Sequence, residues 1–455
     1  MNVKENKMGT MPINKLLISM ALPMMISMLV QAMYNIVDSM FVSYISEDAL
    51  SALSLAFPIQ QLMIALGTGT GVGVNAVLSK ALGEKDHKKA NDVARHGIFL
   101  SLISFIVFFF IGAFFVDTFY MSQTTDAEIL QAGHDYLTIV CCASIGMYMQ
   151  FIFERLLQAT GRTVLSMITQ GLGAIINIIL DPILIFGLCG MPAMGVKGAA
   201  IATVIGQIIA AGLAVILNIK MNHDIHISFK GFRPDLRMIK TIYAIGVPSI
   251  IMQAVGSVMN YGMNQILIGF TSTATAVFGA YYKLQSFIFM PVFGLNNGMI
   301  PIIAYNYGAG RKERVVKTIK SSVILAVCIM LAGLAVMQVF PAQLLAIFNA
   351  SENMLAIGVT ALRLISLSFV FAGYCIVMGS VFQALGNGVY SMTTSIVRQL
   401  IVLLPVAYLF SLTGNINLVW LAFPIAELFS LALSTVFLFK INKKVISKIG
   451  VEEEY

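Results

Sequence analysis

The chain has 455 residues, of which 58% are hydrophobic and 11% charged, with a net charge of +7 and a mean hydropathy of +0.88. A soluble globular domain carries about 25% charged residues, so this composition excludes a soluble fold and points to a polytopic membrane protein. The positive charge could suggest nucleic acid, but it is dispersed among the loops between apolar stretches, as membrane topology predicts.

Apolar stretches longer than about 18 residues, each able to cross roughly 30 Å of hydrocarbon as helix, recur from end to end. In chain order they lie near 14–45, 49–79, 95–121, 134–159, 164–188, 195–220, 238–269, 275–305, 316–345, 355–385, 389–412 and 416–441. The first is long and lacks a small-residue cleavage motif, so it reads as a retained helix behind a short polar lead.

Every second loop is basic. Lys80, Lys85, Lys88, Lys89 and Arg95 follow the second stretch, Lys220 to Lys240 the sixth, Arg311 to Lys320 the eighth, and Lys440 to Lys448 the last. The segment from Asp117 to Asp135 has four acids and no Lys or Arg. The positive-inside rule then predicts cytoplasmic termini, with Lys197 as the exception. The five cysteines lie in or beside apolar stretches without Cys-x-x-Cys spacing, so no zinc site or disulfide framework follows. The five histidines are loop or helix-end residues and read as solvated.

Two acids stand where hydrocarbon is expected: Asp38 in the first stretch and Asp181 in the fifth. An ionised Asp at the bilayer centre costs at least about 2.5 to 3.5 kcal/mol, so such residues imply a cation, a proton or a counter-charge. Asn177 and Asp181 are four apart and share a helical face. Pro182 follows and frees an upstream carbonyl, so amide, carboxylate and backbone oxygens can gather there. A carboxylate site that holds either a proton or a cation is what an exchanger needs.

The sequence is written twice. Pro23 and Pro248, Asn35 and Asn260, Gln60 and Gln285, Gly69 and Gly294, and Gly83 and Gly308 are each 225 residues apart, and Gln158-Ala-Thr-Gly161 falls on Gln383-Ala-Leu-Gly386. Each half has an even number of spans. The expected architecture is therefore all-α and integral to the membrane, with twelve transmembrane helices in two parallel six-helix bundles related by a pseudo-two-fold axis along the membrane normal. The bundles are expected at 14–220 and 241–441, with a lead at 1–13, a linker at 221–240 and a tail at 442–455. Asp38 falls on Met263 and Asp181 on Val406, so the acid pair belongs to the first half alone.

Other intramembrane polar residues carry weaker signals. Glu154 and Arg155 are adjacent near the inner end of the fourth stretch and predict a local ion pair or a cytoplasmic-side gate. Lys283, Arg398 and Glu427 predict a salt bridge in the second half or a place on the cavity wall. Asn35, Gln158, Gln253 and Asn260 are further candidates to line a substrate cavity. The 28 methionines read either as lipid-facing filler or as an adaptable wall. Gly67-Thr-Gly-Thr-Gly-Val-Gly73 lacks the Lys-Ser/Thr pair of a phosphate loop and reads as close helix packing. The absence of a Walker motif argues against ATP.

Taken together, Val37-Asp-Ser-Met-Phe-Val, Gly83-Glu-Lys-Asp, Gln158-Ala-Thr-Gly-Arg, Asn177-Ile-Ile-Leu-Asp-Pro and Gly195-Val-Lys-Gly-Ala-Ala-Ile-Ala-Thr203 resemble the multidrug and toxic compound extrusion (MATE) transporters over nearly the whole chain. The details are closer to the MepA-like bacterial branch, since the span from Gly246 to Phe270 has no acid. The resemblance implies a secondary exporter of organic cations and amphipathic drugs, driven by inward H+ or Na+ and working by alternating access. It implies a coupling-ion site at Asp38, Asn177, Asp181 and Thr203, with no metal beyond Na+ there and no cofactor beyond the coupling ion. It also implies a monomer in the bacterial plasma membrane, contacting drugs and lipid but neither nucleic acid nor ATP. A lipid-linked precursor flippase is the alternative, though neither extra helices nor a basic cavity for pyrophosphate is evident. A membrane enzyme is the third reading, against which stands the lack of a nucleophile motif or a His/Asp cluster.

Overall fold

The computed structural model describes residues 5–450, and among the described residues every regular element is helical. A bilayer demands this, because each backbone N–H and C=O must be satisfied within its own segment.

The first half runs through a short helix α1 (Lys7–Thr10), then α2 (Ile13–Ser43), α3 (Glu47–Gly83), α4 (His87–Phe114), α5 (Val116–Met121), α6 (Ala127–Cys142), α7 (Ile145–Ala159), α8 (Thr163–Phe186) and α9 (Val196–Met221). The second half runs through α10 (Leu236–Ile268), α11 (Ser272–Gly308), α12 (Lys312–Val339), α13 (Pro341–Ala346), α14 (Glu352–Ser366), α15 (Phe369–Ala384), α16 (Gly388–Ile396), a π-helical turn (Val397–Leu403), α17 (Leu404–Ser411) and α18 (Ile416–Lys444). Among the described residues, ten spans are long and apolar enough to cross a membrane as single helices or continuous stacks. The bent pairs α6–α7 and α14–α15 raise the number to twelve, each overlapping one expected stretch.

The repeat holds element by element. The helices α3, α4 and α5 return 225 residues later, at both ends, as α11, α12 and α13. The break in α6–α7 is 44° and that in α14–α15 is 51°. Caps repeat with them: Ser46 accepts from Ala49 N and Thr271 from Ala274 N, while Asp126 and Ser351 cap α6 and α14. Such side chains satisfy otherwise orphaned N–H groups, so each repeated cap sets the start of its helix.

Packing divides the chain into two units that do not follow chain order. The first comprises Ile26–Gly246 with the residues just before Lys7; the second comprises Lys7–Met25 and the chain from Val247 onward. The opening of α2 therefore belongs to the second unit and the opening of α10 to the first, unlike the expected bundle limits at 14 and 241. Glycines make this possible. Within the first unit, Gly73 abuts the Ile242 carbonyl, and a Cβ on Gly246 would stand 3.0 Å from Gly69 O. Within the second, a Cβ on Gly298, the repeat mate of Gly73, would stand 2.7 Å from Ala21 Cα. The stripe read as close packing does pack closely: Gly67 meets Phe151 and Tyr148, and Gly71 meets Arg155.

The polar ends are anchored. In the second unit Arg314 donates to the Met8 and Met11 carbonyls, and Asn306 donates to Met8 O, holding α1. In the first unit the segment after α9 lies along α4: His226 N donates to Asn91, Arg95 to Ser228 O, and Asp235 N to His96 Nε2. This corrects the expectation that every histidine is solvated, since His96 is 3% exposed, bonded at both ring nitrogens and edge-on to Phe232. The exceptional Lys197 is paired with Asp135 at 3.2 Å.

Candidate ion and substrate sites

The helices α8 and α9 approach unusually closely because glycines face one another. A Cβ on Gly206 would lie 2.8 Å from Gly173 O and 3.5 Å from Asn177 Cβ. That approach sets Asn177 against Thr203. The amide oxygen and nitrogen of Asn177 are assigned from their partners: with the NH2 toward Asp181, it donates to Asp181 Oδ2 at 2.7 Å while its oxygen accepts from Thr203 Oγ1 at 3.1 Å and Thr203 N at 3.0 Å.

Asp38 comes to the same place from α2. Its carboxyl and that of Asp181 are within hydrogen-bond reach of each other. Asp181 is wholly buried, and Oδ1 of each acid is buried without a hydrogen-bond partner. Two neighbouring carboxyls in an apolar setting repel each other when both are ionised, a repulsion that a proton or a cation relieves. Thus all four residues of the expected coupling site, Asp38, Asn177, Asp181 and Thr203, meet in the first unit.

Three further residues complete the surroundings. The Tyr34 hydroxyl is near Thr203, Tyr136 is close enough to both acids to feel their charge, and Gln60 Nε2 donates to the Tyr136 hydroxyl at 2.9 Å. Tyr34 is one turn before Asp38, so helical spacing could have singled it out. Nothing local distinguishes Tyr136 or Gln60; they join through the packing of α3 and α6.

The remaining candidates separate. Glu154 is 2% exposed and accepts from Gln150 at 3.0 Å, Thr169 at 3.0 Å and Gln170 at 2.8 Å. Arg155 turns instead to Gln158 Oε1 at 2.9 Å, and Gln158, itself buried, donates to Ser166. Glu154 thus sits in a clamp of neutral donors, with the Arg155 guanidinium close enough to act on it electrostatically. In the second unit Arg398 and Glu427 form the expected bridge at 3.1 Å, whereas Lys283 is exposed and outside it. Asn260 is near the Tyr282 hydroxyl, and Asn35 and Gln253 are exposed.

The MatE family model matches residues 23–183 and 248–409, two segments in the register of the internal repeat. Among curated relatives, the multidrug export protein MepA of Staphylococcus haemolyticus is 32% identical over 415 residues, covering 88% of this chain and 89% of that protein. MepA of Staphylococcus aureus is 29% identical over 417 residues, covering 89% and 90%. Among solved structures, a multidrug resistance MATE family transporter in an outward-facing conformation superposes with a TM-score of 0.92 at 25% identity, covering 98% of this chain and all of that one. A MOP superfamily transporter from Pyrococcus furiosus does so with a TM-score of 0.90 at 25% identity over 99% of each chain. The chain is thus a multi-pass membrane protein that belongs to the MatE family of transporters.

Proposed function

We propose that this protein is a secondary antiporter of the bacterial plasma membrane, with cytoplasmic termini, that exports organic cations and amphipathic drugs in exchange for inward H+ or Na+. The observation that carries the reading is the approach of Asp38 and Asp181, each with a buried, unpartnered Oδ1, beside Asn177 and Thr203. An empty pair shares one proton; a second proton or a Na+ relieves the remaining charge. Asn177 can serve both states, since turning its amide over presents an oxygen to a bound cation where the NH2 had faced the carboxylate.

The names of the MepA relatives support multidrug export. Charge arithmetic supports more than one coupling charge per cycle: one monovalent drug exchanged for one proton moves no net charge, whereas each extra inward charge gains about 2.3 kcal/mol per 100 mV.

The test is dye efflux from proteoliposomes under a pH gradient alone and then a sodium gradient alone. Wild-type protein should respond to one of the two, and Asp38→Asn and Asp181→Asn should abolish that response. Efflux by either variant at the wild-type rate would overturn the assignment.

A further inference from the structure

The charge pair in the second unit has no counterpart in the first. Arg398 lies in the π-helical turn Val397–Leu403, while the position 225 residues earlier is Gly173, inside the regular helix α8. A π turn inside a long apolar helix adds a residue to the turn and re-aims side chains, and such turns occur frequently at functional sites. Its partner Glu427 is near the middle of α18, at a depth where a charge is retained only with a strong reason.

The pair is lopsided. The Glu427 side chain is 5% exposed and that of Arg398 32%. Glu427 Oε2 takes the guanidinium at 3.1 Å, while Oε1 is buried without a hydrogen-bond partner. One acceptor thus lies in the interior without a hydrogen-bond partner, with the Cys375 thiol near the carboxyl, and the cation that holds the other is the more accessible and longer-armed member. Aromatic rings stand alongside: Phe423, one turn before Glu427 on α18, meets Tyr281 edge-on at 6.1 Å and Phe278 at 6.0 Å. A buried carboxylate with aromatic rings nearby is suited to a bulky, delocalised cation, which the acid holds by charge and a ring that turns its face to it by cation–π attraction.

We propose that Glu427 is the counter-charge for the cationic centre of the exported molecule, and that Arg398 occupies this carboxylate until a substrate cation displaces it. The two halves of the repeat then divide the work, with coupling ions on Asp38 and Asp181 and the drug's charge on Glu427. This assignment rests on the export of organic cations proposed above. Arg398 acts as a built-in competitor, so its removal has the opposite sign from removal of Glu427.

The experiment is equilibrium binding of tetraphenylphosphonium and of ethidium to full-length protein in nanodiscs, with no gradient. Glu427→Gln should weaken both at least tenfold. Arg398→Gln should tighten both by a similar factor, and the double variant should behave as Glu427→Gln. Because loss of one member of a buried pair can unfold a bundle, Arg398→Lys provides the second variant: it keeps the charge, gives up the planar fork, and should tighten binding a few-fold. The inference is overturned if Glu427→Gln binds with unchanged affinity, or if Arg398→Lys and Arg398→Gln weaken cation binding. It is equally overturned if the Arg398 variants lose only an anionic probe. Wild-type protein that binds neither cation would refute the export reading as well, whereas the other refuting outcomes leave gradient-driven efflux through Asp38 and Asp181 intact.

Discussion

Gly206→Ala tests whether the close approach of α8 and α9 builds the coupling site. The new Cβ would stand 2.8 Å from Gly173 O, where carbon and carbonyl oxygen rest at about 3.3 Å or more. The helices must therefore part by roughly 0.5 Å, since the obstacle is backbone and cannot rotate away. The Asn177 contacts to Thr203 at 3.0 and 3.1 Å would stretch to about 3.5 Å, past a useful hydrogen bond. Two bonds at roughly 1 kcal/mol each are then at stake, against about 0.5 to 1 kcal/mol gained from replacing a helical Gly by Ala. A net loss of about 1 to 1.5 kcal/mol corresponds to a roughly 5- to 13-fold weaker response to the coupling ion. The assay is dye efflux from proteoliposomes titrated with the ion that drives it. Gly212→Ala is the control, because that glycine lies on the same helix with nothing within 4 Å of the added Cβ. Coincident ion titrations for the two variants would refute the reasoning.

Three further outcomes are expected. Asn177→Ala removes the 2.7 Å donor to Asp181, a hydrogen bond to a charged group that contributes about 1.5 to 3 kcal/mol. The half-saturating concentration of coupling ion should change at least tenfold, and an unshifted titration would count against the site. Glu154→Leu strands the donors of Gln150 and Gln170, while Thr169 keeps Ser166 O at 2.7 Å, and should cost about 2 to 4 kcal/mol, seen as a lower thermal midpoint in detergent; an unchanged midpoint would mean that Glu154 is no clamp. Lys197→Met removes only the pair with Asp135, whose lysine is 52% exposed, so midpoint and efflux should both stay within the effect of about 1 kcal/mol typical of surface bridges.

Much of the first unit's chemistry was legible because its signals are local. Asp38 and Asp181 stand out against apolar neighbours whatever they touch, and the i, i+4 spacing of Asn177 and Asp181 needs only a helix. Glu154 shows where local reading stops: its neighbour in the chain suggested a partner, but its oxygens are satisfied by residues a turn away and on α8. His96 is polar and near a helix end, yet the segment after α9 folds over it. Tyr136 and Gln60 meet only because α3 packs on α6.

The sequence by itself determined the number of spans, the 225-residue repeat and the confinement of the acid pair to one half, since hydropathy, spacing and the cost of charge in hydrocarbon are properties of single segments. Only the tertiary structure decided that the openings of α2 and α10 pack in the opposite units, that Asp38 meets Asp181, and that Arg398 rather than Lys283 takes Glu427. Each of those outcomes depends on how closely two backbones approach. That distance is set by a few glycines and by the turn of a helix, and no hydrophobic pattern records it.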